Sequence, residues 1–156
     1  MLKLNRTTEY GLIALRHMTK ETKVTSAREI ADLYGLPFEI TAKTLQRLKD
    51  SGLIQSAQGA RGGYTLQKSL SEVTLADFVQ QMEGPLGVVN CVTTSAVDNP
   101  CACEYARKCG MTDVMADLNA RMLGFLQGIR LDELMVMPAV MPAVTFQVSF
   151  QENAAL

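Results

Sequence analysis

The residues best suited to chemistry are four cysteines, Cys91, Cys101, Cys103 and Cys109, which all fall within 19 positions of a 156-residue chain. Clustered thiols in a protein that stays in a reducing compartment bind metal or report redox state more often than they form structural disulfides. Nucleophilic catalysis is a poorer match. The single histidine, His17, has no serine or cysteine partner in a recognisable motif and reads as a surface or half-buried histidine, so no enzyme is expected. No apolar run approaches the roughly 18 residues of a membrane-spanning helix. The opening MLKLNRTTEYGL has no apolar core followed by a small-residue cleavage site, so a cytoplasmic protein with no membrane partner is expected.

A second set of chemically useful residues lies in the first half. Residues 1–70 carry 11 Lys+Arg against 6 Asp+Glu, whereas residues 71–156 carry 4 against 10, so a net charge of −1 conceals a basic half and an acidic half. Such a split suits a polyanion-binding half joined to one with a different task. Within the basic half, Glu39, Lys43, Gln46 and Arg47 stand at helical spacing on the polar side of one segment. Glu39 is able to accept from a cytosine amino group and Gln46 to pair with adenine. Lys43 and Arg47 suit phosphate, which supplies affinity rather than sequence choice. Arg61 and Gly62 occupy a glycine-rich stretch, where a cation can enter a minor groove and the backbone can approach closely. A phosphate loop is a weaker reading of that stretch, because it lacks the GxxxxGK[ST] pattern.

The elements that must position these residues are mostly helical. Residues 5–20 suit a first helix, with Leu12, Leu15 and Ile13 toward a core. Ser26 and Glu29 form a capping-box pattern that opens a second helix, continued by Ile30, Leu33 and Tyr34 to Gly35. A third helix over 38–51 places Ile40, Thr44, Leu45 and Leu48 inward and ends at Ser51-Gly52. Two short helices around a tight glycine-containing turn make a helix-turn-helix. Strands over 53–56 and 64–67 flank the glycine-rich tip as a β-hairpin wing. A short helix over 74–83 stops at Gly84-Pro85, and most of the cysteines lie in the following segment to about residue 108. Residues 110–133 then carry Met111, Val114, Met115, Leu118, Met122, Phe125, Leu126 and Ile129 at helical spacing. A stripe of that length exceeds what a small domain can cover, so it reads as a dimer interface. The expected fold is mainly α: a winged helix-turn-helix over 1–70, a short helix and cysteine-bearing loop over 71–110, a dimerisation helix over 111–133, and a tail over 134–156 with no assigned role.

The run SAREIADLYGLPFEITAKTLQRLKDSGLIQSAQGARGGYTL, followed by TLADFVQQMEG, resembles the iron–sulfur-sensing winged-helix regulators of the IscR and NsrR type. The likeness extends over about residues 1–133, and its most distinctive part is the wing. It implies a homodimer that reads a palindromic DNA operator and carries a cysteine-bound 2Fe–2S or 4Fe–4S cluster. The family's loop holds three cysteines at five-residue gaps. Cys103 and Cys109 match the last two, whereas eleven residues separate Cys91 from Cys103 and Cys101 is an additional candidate. Where one branch of the family has a histidine ligand, this chain has Thr112; where the other uses an acidic residue of the first helix, it has Glu9. The implied ligand set is Cys91, Cys103, Cys109 and Glu9 of the partner subunit, with an all-cysteine site as its rival. Two other functions stay open: the same DNA-binding fold run by a thiol switch or Zn²⁺, and an iron–sulfur carrier or assembly-interaction protein.

Overall fold

The computed structural model describes residues 4–21, 23–59, 62–87 and 109–136. Helix α1 (Arg6–Lys20) starts at Asn5, whose side chain accepts from the Thr8 amide at 2.9 Å. It buries Tyr10, Ala14, Leu15 and Met18 along one side. Helix α2 (Ala27–Tyr34) is capped by Ser26 Oγ, which accepts from the Glu29 amide at 3.1 Å, and stops at Gly35 with φ +64°. That left-handed position is what a glycine supplies without steric cost. Instead of closing the expected capping box, the Glu29 carboxylate reaches the Lys23 ammonium at 3.3 Å and holds that group above its ordinary pKa.

Helix α3 (Phe38–Asp50) follows Pro37 directly and buries Thr41, Thr44, Leu45 and Leu48. The two threonine hydroxyls are satisfied locally, Thr41 donating to the Pro37 carbonyl (3.0 Å) and Thr44 to that of Ile40 (2.8 Å). Three apolar residues expected to point inward do not. Leu33, Tyr34 and Ile40 are exposed, and Thr41 takes the inward place assigned to Ile40. Strands β1 (Ile54–Ala57) and β2 (Gly63–Leu66) pair antiparallel, Ile54 with Leu66 and Ala57 with Gly63. The hairpin is seated on the helices by a bridge from Tyr64 to Thr25, with amide-to-carbonyl distances of 2.9 and 3.0 Å.

A turn of 3₁₀ helix (Leu70–Glu72) leads to α4 (Leu75–Glu83), which opens on a reciprocal capping box between Thr74 and Asp77 and ends at Gly84, φ +92°. The chain is next described from Cys109, just before α5 (Thr112–Gln127). The single helix expected over 110–133 is corrected. It breaks at residues 128–130, because Ile129 accepts from the Leu75 amide (2.8 Å) and the Leu131 amide donates to Val73 (3.0 Å). This exchange re-registers the backbone against the lead-in to α4. Helix α6 (Leu131–Val136) then places Leu131 and Met135 into the core beside Leu15, Ile30, Leu45, Leu48, Leu53, Ile54, Phe78 and Val79. The described part is thus mainly helical with one two-stranded wing, as expected. No helix among the described residues is long and apolar enough to cross a membrane.

Candidate nucleic-acid interface and cysteine site

Helix α3 is held from below by Leu45 and Leu48, both fully buried, which leaves its opposite side in solvent. Glu39, Lys43, Gln46 and Arg47 are all on that exposed side, as their spacing required. Their freedom differs. The Glu39 and Lys43 side chains make no hydrogen bond or ion pair among the described residues. Gln46 Nε2 donates to Asp50 Oδ1 at 2.8 Å, one turn along the same helix. Arg47 Nη1 donates to the Met82 carbonyl at 2.7 Å, so part of its guanidinium is already engaged within the protein. That acceptor lies at the carbonyl end of α4, where helix groups lack partners and a cation is favoured.

One contact beside the exposed side of α3 escaped the reading from sequence. The guanidinium of Arg28, near the start of α2, sits 4.3 Å above the ring of Phe38, the first residue of α3. A cation over an aromatic face is stabilised by the ring quadrupole and held in one orientation. The signal available beforehand was only a ten-residue separation, which suggests no contact without the angle of the turn. At the wing, Gly62 is exposed, whereas Arg61 lies outside the described residues.

Of the cysteine-site candidates, Cys91, Cys101 and Cys103 lie outside the described residues. Cys109 is a free, half-buried thiol just before α5, its carbonyl accepting from the Thr112 hydroxyl at 3.4 Å. Glu9 is exposed in the first turn of α1, and its carboxylate makes no hydrogen bond or ion pair among the described residues. It borders an open cleft of about 470 Å³ with Leu4, Asn5 and Arg6. Among the described residues, no three histidine, cysteine or acidic side chains converge on one point. Both described donors nevertheless keep their lone pairs available, and a soft thiolate with a harder carboxylate is a donor set that iron accepts. His17 is more buried than expected, 6% exposed, with Nδ1 3.3 Å from the Tyr34 hydroxyl and the rings edge to face.

The start of α1 is anchored by a residue that sequence reading did not single out. Glu83 Oε1, at the end of α4, accepts from the Asn5 amide at 2.9 Å and from the Thr8 hydroxyl at 2.6 Å. Along α5 the apolar stripe is covered only in part among the described residues. Met111 at its N-cap, Val114, Leu118 and Phe125 are exposed, Phe125 at 70%, whereas Met115, Met122, Leu126 and Ile129 are half-buried and Asn119 is the helix's buried residue.

Residues 4–136 match the family model described as Rrf2, iron-dependent transcriptional regulator. Among solved structures, the chain is similar to CymR (YrzC), the global cysteine regulator of B. subtilis, at 24% identity over 86% of this chain and 97% of that one, with a TM-score of 0.65. A putative transcriptional regulator from Listeria innocua aligns over 96% of both chains at 20% identity and a TM-score of 0.70. T. potens IscR aligns over 86% of both at 20% identity and a TM-score of 0.62. At these identities the structures speak for the fold.

Proposed function

The chain belongs to the Rrf2 family of iron-dependent transcriptional regulators, and from that premise we propose that it is a cytoplasmic homodimer that binds a palindromic DNA operator under the control of an iron–sulfur cluster. The observation that carries the DNA-binding part is the exposed side of α3, where the Glu39 and Lys43 side chains have no partner among the described residues, in the first half of the helix that follows the turn. Residues near the N-terminus of that helix are the ones that reach base edges in a major groove. Lys43 contributes phosphate affinity, Gln46 reaches adenine once it exchanges Asp50 for a base, and Arg61 with Gly62 serves the adjacent groove from the wing.

The cluster would be held by Cys91, Cys103 and Cys109 together with Glu9 of the partner subunit, or by Cys101 in place of the carboxylate. A bound cluster supplies iron that responds to oxidants, nitric oxide or iron–sulfur supply. The unengaged Glu9 and the free Cys109 thiol support that assignment. Dimerisation through α5 is supported by its uncovered Met111, Val114, Leu118 and Phe125.

Anaerobic purification with visible absorption and with iron and sulfide counted per chain tests the cluster. A brown protein with matching iron and sulfide is expected, and Glu9→Ala and single Cys→Ala variants then identify the ligands. A colourless protein that stays iron-free after anaerobic reconstitution overturns it. In that event the Cys101-Ala102-Cys103 pair favours a thiol switch or Zn²⁺ on the same DNA-binding fold. Binding to duplex DNA that weakens steeply with salt separates a regulator from an iron–sulfur carrier, whose protein partners need not release counterions.

A further inference from the structure

Three hydrogen bonds from two different helices meet on the last turn of α4. Arg47 of the recognition helix α3 donates to the Met82 carbonyl at 2.7 Å. One residue on, Glu83 accepts from the Asn5 amide at 2.9 Å and from the Thr8 hydroxyl at 2.6 Å, both at the start of α1. Thr8 is fully buried, and its hydroxyl lies 2.6 Å from Glu83 Oε1 and 3.0 Å from the capping Asn5 Oδ1, so the shorter contact ties the cap of α1 to α4. The arrangement has an electrostatic logic. Glu83 is an acid at the negative end of α4, where a carboxylate is disfavoured, but the same group faces the positive end of α1, where it is favoured. Arg47 supplies the cation that the end of α4 prefers. The joint is also tight: a methyl group added at Gly11 of α1 would lie 3.0 Å from Phe78 and 3.4 Å from Met82 of α4. Immediately after this turn the chain passes through Gly84 and Pro85 into the segment that holds Cys91.

We propose that Glu83 and Arg47 are positioning residues, which fasten the start of α1 and the recognition helix to a single turn of α4 and so transmit a displacement at α1 or at the cysteine-bearing segment to α3. The inference rests on the reading of the chain as a DNA-binding regulator. It does not depend on whether a cluster, a thiol pair or zinc produces the displacement. It also reassigns Arg47, which acts on DNA through the placement of α3 rather than by gripping a phosphate. Hydrogen bonds between neighbouring groups on one rigid turn are the kind of network in which deletions fail to add.

The test is a double-mutant cycle read in DNA affinity, on a duplex selected from a random-sequence library by the wild-type protein. Thr8→Val deletes a buried hydroxyl that has no access to DNA, and is expected to weaken binding about threefold. Arg47→Met is expected to weaken it about tenfold, and the double variant about tenfold rather than the thirtyfold of independent sites. The slope of log affinity against log salt stays at the wild-type value in all three, because no phosphate contact is lost. Thr8→Ser, which restores the hydroxyl, restores affinity. Additive losses overturn the coupling, and a salt slope reduced by about 0.9 in Arg47→Met makes Arg47 a phosphate ligand instead. Should Thr8→Val fold poorly, Glu83→Gln, which weakens the same acceptor, takes its place in the cycle with the same expectation. A wild-type protein that selects no duplex overturns the underlying DNA-binding reading, an outcome distinct from additivity.

Discussion

Replacing Gly63 by alanine tests how the wing is held. A Cβ built on Gly63 would stand 2.6 Å from the Thr25 carbonyl oxygen, 2.9 Å from its carbonyl carbon and 2.9 Å from Val24 Cγ1. The nearest obstacle is backbone, so no side-chain rotation relieves it. Either β2 withdraws from Thr25 and loses the two amide–carbonyl bonds of 2.9 and 3.0 Å, or the bridge stays and the crowding is absorbed as strain. The first route costs about 1 kcal/mol per bond, and the second about 1–3 kcal/mol. Both converge on roughly 2 kcal/mol, which for a chain of this size lowers Tm by about 4–8 °C. Thermal unfolding followed by circular dichroism measures it. Gly62→Ala is the internal control, because among the described residues its Cβ would meet Ala57 O at 3.4 Å and Gly59 O at 3.6 Å, ordinary contact distances. That variant is expected to keep its Tm within about 1 °C while weakening DNA binding through bulk at the wing tip. Equal Tm values for Gly63→Ala and Gly62→Ala would refute the argument that the Thr25 bridge seats the wing.

Phe125→Glu, at the most exposed apolar position of α5 apart from the terminal helix, is expected to convert a dimer to monomer in multi-angle light scattering. The loss of about 1.5–3 kcal/mol per buried phenylalanine acts twice in a two-fold interface, and an unchanged dimer mass would place the interface elsewhere. Phe38→Leu, which removes the ring beneath Arg28 but leaves the charge, should weaken duplex binding about two- to fivefold with an unchanged salt slope. Arg28→Ala should reduce that slope by about 0.9. Identical slopes in the two variants would show that Arg28 makes no phosphate contact.

The helices could be read from the chain because their ends are written in single residues. Ser26 and Gly35 bracket α2, and Thr74 and Gly84 bracket α4. What failed was the assumption that apolar periodicity continues to the last turn. Helix α2 is eight residues long, and Ile30 and Ala31 satisfy its packing, so Leu33 is left in solvent and Tyr34 meets only the edge of the core at His17. The break in the final long helix was hidden for the opposite reason. Leu131 and Met135 resume a four-residue spacing after residues 128–130, so the apolar pattern survives an interruption imposed by backbone bonds to residues 73–75. Arg47 looked like a free cation because its acceptor is a carbonyl 35 positions away. Side-chain spacing contains no information about a main-chain oxygen that only the end of a helix leaves available. The same holds for Thr8 and Glu83, 75 positions apart.

The uneven charge of the chain acquires a use once the elements are in place. The exposed side of α3 carries Lys43, Arg47 and Lys49 against Glu39 and Asp50, whereas α5 and α6 carry Asp113, Asp117, Asp132 and Glu133 with Arg121 tied to Asp117 at 2.8 Å. A polyanion therefore attracts one part of the molecule and repels the other, orienting an encounter even though the net charge is −1. Apolar exposure on α5 has the matching consequence. On the proposed reading, a two-fold contact through this helix would bring two recognition helices into one assembly. If the proposed operator is palindromic, their separation must equal about one helical turn of DNA or a multiple of it, and the geometry of α5 would then set its half-site spacing. On the proposed reading, base choice within each half falls to the exposed residues of α3.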